Sequence, residues 1–358
     1  MESRPYQPRH DGGGEVYLVT GGEGCLGRHL VEALVRYRPA AEIRVFARQQ
    51  RHFDDPPRVS YALGDLTDSE SLMKACSGVT VVFHVASLLS TNTEQVRRVN
   101  IDGTRYLLDA AKKHGVARVI FVGTITAVLN RSPIYDGEET LPYATNPLDP
   151  YMAVKGEAER MVMTWGELHN VPVCTLRPPL MFGGGDRHLA PVIMSLARKP
   201  FSRWRLGDGA AMNVMYVENA AVALLHAEER LRPGSPICGQ VFNVHDGYTV
   251  DLYELARDFA RAIDLPNADK MLTWRVPTTP VRCLAYVLEF FSAVIRPVMD
   301  WAPPLRIRDV MLVEMPHTFS AAKAYRMLEY APVVSRAEAL QRTRPWLQKL
   351  YGEPKHST

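Results

Sequence analysis

Three features of the 358-residue sequence predict an α/β fold: an opening strand, glycine turn and helix, repeated β then α units behind it, and a globular balance of residues. The fold expected is a Rossmann-type doubly wound parallel sheet with a smaller C-terminal substrate region. Val16-Tyr-Leu-Val-Thr20 runs into Gly21-Gly-Glu-Gly-Cys-Leu-Gly27, and Arg28-His-Leu-Val-Glu-Ala-Leu34 continues as an amphipathic helix. Apolar runs of strand length at 15–20, 42–47, 59–63, 79–85, 117–123 and 171–177 alternate with helical patterns at 25–36, 69–76, 93–114 and 151–169. Such alternation implies parallel strands covered on both faces.

The segment 130–150, dense in Pro, Asp, Glu and Gly, reads as an ordered loop at the carboxyl end of the sheet, where ligands of such folds sit. After Pro178 the pattern loosens into helices near 189–198, 218–230 and 250–263 and a short strand at 241–244. The expected organisation is a flexible leader at 1–14, a dinucleotide-binding domain at 15–177 and a substrate-binding lid region at 178–358. Hydrophobic residues at 46%, charged residues at 23% and a mean hydropathy of −0.14 exclude disorder, collagen and a multispan membrane protein. A net charge of +3, with basic residues spread along the chain, calls for no nucleic-acid partner. Five scattered cysteines without a CxxC pair, and histidines without HxxxH or HExxH spacing, present neither a disulfide scaffold nor a metal site.

The glycine turn carries the first chemistry. A tight turn, a close backbone approach and a third glycine that seats helix on strand place an anion at a helix N-terminus, so Gly21, Glu23, Gly24, Cys25, Leu26 and Gly27 are the expected pyrophosphate loop of a dinucleotide site. The second strand ends Arg44-Val-Phe-Ala47-Arg48, with no carboxylate for a ribose 2′-hydroxyl. Arg48 suits a 2′-phosphate, which makes NADP the expected cofactor and NAD the alternative.

The second chemistry is acid–base. Asp149-Pro150 reads as an N-cap and a first helical residue, so Tyr151 opens a helix and Lys155 lies one turn on, on the same face. A phenol with a pKa of about 10 is a poor base at neutral pH unless cations favour phenolate, and Lys155 supplies one. Thr124, at the end of the fifth strand, is the expected hydroxyl for the substrate oxygen, and Asn100 a group that positions Lys155 or packs inside its helix.

Together the turn, the strand-end Thr124 and Tyr151-Met-Ala-Val-Lys155 resemble the extended short-chain dehydrogenase/reductase family, in its 3β-hydroxysteroid dehydrogenase branch, over residues 16–346. Gly64-Asp65-Leu66, the run from Gly78 to Ser87 and the run from Leu141 to Tyr151 narrow the resemblance to the decarboxylating sterol dehydrogenases of that branch. The resemblance implies that Asp65 and Leu66 border the adenine, Ala86 the central phosphates or ribose, and Pro178 the nicotinamide amide. It implies Tyr151 as base, with Lys155 as its electrostatic partner and a ribose ligand. The implied reaction oxidises the 3β-hydroxyl of a 4α-carboxysterol to the 3-ketone, with loss of the carboxylate as CO2. A 3β-hydroxysteroid dehydrogenase/isomerase, a reductase of another hydrophobic alcohol, a nucleotide-sugar epimerase and an NADP-sensing regulator remain open.

Two departures stand out: Thr124, preceded by Gly123, replaces the usual serine pair, and Ala47-Arg48 replaces the acidic strand end of NAD-using relatives. The implied partners are a sterol, a second copy of the chain and other enzymes of sterol C4 demethylation. The implied place is the cytoplasmic face of the endoplasmic reticulum membrane, or a lipid droplet. One stretch bears on this directly. Residues 283–295 are apolar except for Glu289 and Ser292 and are flanked by Arg282 and Arg296. Thirteen residues fall short of the roughly 20 needed to span a bilayer, leaving a buried lid helix or a helix lying in the membrane interface.

Overall fold

The computed structural model describes residues 3–52, 54–90, 92–196, 201–295, 299, 301, 303 and 305–352. Its first half alternates β1 (Val16–Thr20), α1 (Cys25–Tyr37), β2 (Glu42–Ala47), β3 (Val59–Leu63), α2 (Ser69–Cys76), β4 (Val81–His84), α3 (Thr93–Arg97), α4 (Gly103–Lys113), β5 (Arg118–Val122), β6 (Ile134–Gly137), α5 (Pro150–His169) and β7 (Val173–Arg177). The second half holds β8 (Leu180–Phe182), α6 (Leu189–Leu196), β9 (Trp204–Leu206), β10 (Met212–Tyr216), α7 (Val217–Arg230), β11 (Gln240–Asn243), β12 (Thr249–Val250) and α8 (Leu252–Ala262). It ends with β13 (Trp274–Val276), α9 (Thr278–Ile295), α10 (Ile307–Glu314), β14 (His317–Phe319), α11 (Ala322–Met327) and α12 (Arg336–Gly352).

The main sheet has seven parallel strands in the order β11-β7-β5-β4-β1-β2-β3. Side chains alternate across it as a two-sided sheet requires. Tyr17, Val19, Val81 and Phe83 face the core shared with α1 and α7, whereas Leu18, Val82, Val119 and Phe121 face the core shared with α2, α4 and α5. Every residue of β4, β5 and β7 is buried, which is why these strands read as continuous apolar runs.

The boundary expected at 177 does not divide the molecule. β11, from beyond it, pairs in parallel with β7 as the seventh strand, and α7 packs on α1 to complete one face. The loop expected at 130–150 contains β6, which joins β14 in a second sheet of order β12-β10-β14-β6, with β8 paired to β10. This sheet and α10 close over the turn that follows β5, where Ile125, Val128 and Met152 pack with Met315 and Phe319. The helix expected to end at Arg198 is described as far as Leu196, and both Arg198 and Arg296 lie outside the described residues.

From Arg4 on, the leader is tied to the body of the protein. Tyr6 is buried, its hydroxyl donating to Glu229 Oε1 at 2.6 Å and accepting from Arg38 Nη2 at 2.9 Å. Arg38 and Arg118 are both paired with Glu228, so the leader caps a buried ion cluster under the amino ends of the strands. Tyr6→Ala is expected to cost about 3 kcal/mol of unfolding free energy and Tyr6→Phe about 1 kcal/mol, measured by urea denaturation. Equal stability of Tyr6→Ala and the parent protein would return the leader to a loose tail.

Candidate active site

The glycine turn is built on contacts that leave no room for side chains. Gly21 has φ +71°, and a Cβ there would meet Ala86 Cα at 2.8 Å; a Cβ on Gly27 would overlap the Gly21 carbonyl oxygen and lie 2.7 Å from its carbon. Helix α1 therefore starts directly on the turn. Its N-cap, Gly24, offers no side-chain hydrogen bond and no acidic residue stands in its first turn. The free N–H groups of Cys25, Leu26 and Gly27 are thus a site for a pyrophosphate, and the residues present fit a dinucleotide. Thr20 holds the opposing wall, its Oγ1 accepting from the Val85 and Ala86 N–H groups at 3.2 Å each.

His84 explains how Thr20 is oriented. Thr104 Oγ1 donates to the Asn100 carbonyl at 2.7 Å and so accepts from His84 Nε2 at 2.9 Å, leaving Nδ1 to accept from Thr20 Oγ1 at 2.8 Å. Burial, helped by the Lys155 charge, pushes the His84 pKa down to about 3, so it stays neutral.

At the adenosine end the Glu23 carboxylate is already taken: Oε1 accepts from Arg51 N at 3.1 Å and Oε2 pairs with His52 Nδ1 at 2.9 Å. A second tie joins Arg28 to both oxygens of Asp55, so Glu23 and Arg28 clamp the loop after β2 onto α1. Arg48 is exposed at the end of β2. Burial would raise the Asp65 carboxyl, but hydrogen bonds from Thr67 N and Oγ1, with Arg48 and Arg98 nearby, hold it below the usual range. Leu66 is buried against Gly103, and buried Pro178 accepts from Ile125 N through its carbonyl at 3.2 Å. Chain spacing alone identifies none of Arg28, His52 and Asp55; their signal is tertiary.

The helix start expected around Tyr151 is present at the head of α5. Asp149 Oδ1 accepts from Met152 N at 2.9 Å, Pro150 opens the helix and Tyr151 follows in its first turn. Thr124 is extended at the end of β5, its Oγ1 3.0 Å from Thr126 Oγ1. Lys155 is buried; its Nζ donates to the Val122 carbonyl at 2.8 Å and lies 4.4 Å from the centre of the Phe121 ring. Burial pushes its pKa down to about 8, against the opposing charge of Glu159. Burial raises the Tyr151 phenol, a hydrogen bond with Ser87 lowers it, and the Asp149 charge raises it again.

Asn100 is held through its side chain by the loop after β4: Oδ1 accepts from Leu88 N at 2.8 Å and Ser87 Oγ at 3.3 Å, and Nδ2 donates to the Leu88 carbonyl at 2.9 Å. It sits in a π turn at Arg98–Asp102 that breaks the helix expected at 93–114 and aims its amide at the loop after β4. The Ser87 hydrogen bond lowers the Tyr151 pKa, a role without a local sequence signal.

The sequence model of the 3-beta hydroxysteroid dehydrogenase/isomerase family matches residues 18–274. The chain belongs to that family. A mouse protein named sterol-4-alpha-carboxylate 3-dehydrogenase, decarboxylating, is 30% identical over 91% of this chain and 89% of its own length. An Arabidopsis thaliana 3beta-hydroxysteroid-dehydrogenase/decarboxylase is 31% identical over 91% of this chain, which spans 61% of that relative's length. A 2-alkyl-3-oxoalkanoate reductase of Stenotrophomonas maltophilia is 30% identical over 91% of this chain and 97% of its own. Among solved structures, an epimerase from Methanothermobacter thermautotrophicus superposes with a TM-score of 0.74 at 22% identity, covering 94% of this chain and 93% of its own. The dTDP-glucose 4,6-dehydratase of Streptomyces venezuelae, solved with NAD, gives 0.73 at 20% identity, covering 93% and 97%. These two share the fold. Membership of the 3-beta hydroxysteroid dehydrogenase/isomerase family makes the chain a nicotinamide-dependent oxidoreductase.

Two outcomes follow from this geometry. Gly27→Ala should abolish binding of NADPH and NADH in a fluorescence titration while the far-UV spectrum is kept; unchanged affinity would move the cofactor off the turn. Lys155 is charged in the unfolded chain up to its ordinary 10.5 but only to about 8 when folded, so its charge costs stability below pH 8, and that cost fades as pH rises to 10.5. Lys155→Met should therefore unfold later in urea at pH 7 than the parent, with the difference shrinking across that window, while turnover drops about 10²-fold or more.

Proposed function

We propose that the protein oxidises the 3β-hydroxyl of a 4α-carboxysterol to the 3-ketone, the carboxylate then leaving as CO2. The observation that carries this reading is the likeness to the mouse sterol-4-alpha-carboxylate 3-dehydrogenase along 89% of its length, with Thr124, Tyr151 and Lys155 all in place. The bacterial 2-alkyl-3-oxoalkanoate reductase supports it from another direction. Its named substrate and a sterol 4-carboxylate oxidised at carbon 3 share an oxygen-bearing carbon next to the carbon that bears the carboxylate.

Thr124 Oγ1 orients the substrate oxygen and Tyr151 removes its proton. Lys155, fixed by the Val122 carbonyl, offsets the phenolate charge and reaches the cofactor ribose. The bound nicotinamide supplies hydride acceptance. The resulting β-keto acid loses CO2 through its own enolate and needs no second acid–base pair.

For the cofactor we favour NADP over NAD. No carboxylate ends β2, Arg48 is exposed there, and the Glu23 carboxylate is occupied by Arg51 N and His52. For place, we favour a membrane surface, the cytoplasmic face of the endoplasmic reticulum. Helix α9 is 18 residues long, five more than the apolar run, with a mean hydropathy of 1.3, long and apolar enough by those measures to cross a membrane. Exposure speaks for this reading over a buried lid helix: among the described residues of α9 Ala285 is buried, whereas Phe290 is 67% and Val294 59% exposed. Beside it, exposed Trp204 and Trp274 lie with ring centres 6.5 Å apart and Arg203 over the latter, a pairing suited to lipid headgroups.

Purified protein given a 4α-carboxy-3β-hydroxysterol and NADP is expected to yield reduced cofactor and CO2 in equal amounts. Oxidation without CO2 would favour a plain hydroxysteroid dehydrogenase, and cofactor binding without turnover a sensor. Arg48→Ala should weaken NADP binding about tenfold and NAD little; equal effects would remove Arg48 from the site. Tyr286→Ser/Phe290→Ser/Val294→Ser, on the exposed face of α9, should abolish co-flotation with phospholipid vesicles and leave the unfolding midpoint unchanged.

A further inference from the structure

Glu159 is fully buried, one helical turn beyond Lys155 on α5. Its Oε1 accepts from Tyr143 Oη at 2.7 Å, from Arg177 Nη2 at 2.5 Å and from Arg177 Nε at 3.0 Å. Arg177 is the last residue of β7, immediately before Pro178. The other oxygen, Oε2, stands so close to Gly123 that a Cβ there would come within 2.5 Å of it. Gly123 joins Val122, whose carbonyl holds Lys155, to Thr124. One carboxylate is thus packed against the strand end that carries the substrate hydroxyl, the strand end that leads to the nicotinamide wall, and the helix that carries the base.

We propose that Glu159 is a positioning residue for Lys155: a buried carboxylate, locked by Arg177 and Tyr143, that keeps the catalytic ammonium charged and the Thr124 strand end seated. The charged and titratable groups around Lys155 are few. Tyr151 and Glu159 share its helix, neutral His84 ends β4, Arg177 ends β7, and Tyr143 comes from the 130–150 segment. Among them Glu159 is the carboxylate that acts on Lys155, and it opposes the burial that drives the ammonium toward neutrality. Arg177, next to it, would add repulsion if left unpaired.

The role rests on the chain being a dehydrogenase that uses Tyr151 and Lys155, and its test needs no sterol. The full-length protein is labelled with [13Cε]lysine, the Lys155 resonance is assigned by its loss in Lys155→Arg, and pH is titrated without substrate. The parent midpoint, expected near 8, should fall by about one unit in Glu159→Gln, so that the ammonium fraction at pH 8 drops about fivefold. Glu159→Asp, which keeps the charge, should restore most of the midpoint. Should Glu159→Gln strand the Arg177 charge and fail to fold, Glu159→Gln/Arg177→Met removes both charges, and the Lys155 midpoint should then fall in the same direction by less. A folded variant without the carboxylate whose Lys155 midpoint matches the parent overturns the proposal, even where its stability is lower. A wrong sterol assignment would show as absent turnover and leave this titration untouched.

Discussion

Helix α1 is pressed onto the end of β1 with no side chain between them, and the rest of the cofactor site takes its place from that contact. Because Gly27 rests on the Gly21 peptide, the first N–H groups of α1 open straight above the turn, without a side-chain cap to compete for them. Because Gly21 lacks a Cβ, the loop after β4 comes within van der Waals distance of it at Ala86. Thr20, oriented by His84, then fastens that loop from below. The same α1 turn offers Glu23 and Arg28 as anchors for the loop after β2. A contact that tolerates only hydrogen at two positions thus decides where three loops can run.

Charge is distributed unequally between the two ends of the sheet. Under the amino ends, Glu15, Arg38, Arg118, Glu228 and Glu229 neutralise one another, with Tyr6 as a lid. Such a cluster is tolerated in the interior because each charge has a partner. At the carboxyl ends, Glu159 and Arg177 are paired, while among the described residues Lys155 bonds to a carbonyl and lies against an aromatic face. Burial takes its pKa down to about 8 against the pull of Glu159, whereas the burial of Tyr151 raises the phenol. A cation and a phenol held away from their ordinary pKa values one turn apart are a poised acid–base pair, and the unsatisfied end is the reactive one.

What could be read in the sequence divides along the same line as local and non-local contact. The strands β1, β4, β5 and β7 were legible because they are buried almost throughout and so read as apolar runs, whereas the partly exposed β2 and β3 showed through their apolar residues and turn-bounded length. Tyr151 was placeable to the residue, since Asp149 and Pro150 mark a helix start through neighbours two positions away. β11 carries the same strand pattern, but its membership of the main sheet depends on a crossover through α7 that no local pattern encodes. Tyr6 sits among Pro, Arg and Gly, and what orders it is Glu229, more than 200 residues on. Asn100 has the expected burial, but its side-chain partner on the loop after β4 is set by a π turn that no local pattern marks. Gly123 looked like a lapse from the serine pair; in the fold it is the position where a side chain would strike Glu159.

The two polar residues of the apolar stretch show the same economy and bear on how α9 sits. Glu289 Oε1 accepts from Ile307 N at 3.0 Å, taking one of the uncapped N–H groups at the start of α10, and Ser292 Oγ donates to the Trp301 carbonyl at 2.7 Å. Arg282 pairs with Glu314 at the other end of α10, and Ala285 fills the space against Ile307 and Val310. One narrow stripe of α9 is thereby committed to the body of the protein, and the wide remainder faces out. For α9 to cross a bilayer, both hydrogen bonds would have to break and Glu289 would have to enter hydrocarbon, at a cost of about 3 kcal/mol or more. Lying flat keeps every one of these bonds and still buries Phe290 and Val294 in lipid. Since α10 also carries Arg308, whose Nη1 donates to Asp149 at 2.9 Å, a helix resting in this way stays connected to the cap beneath Tyr151. The lipid-facing surface proposed for α9 and the helix that carries Tyr151 therefore share a continuous path of bonds, as the proposed sterol reaction would require of a substrate drawn from a membrane.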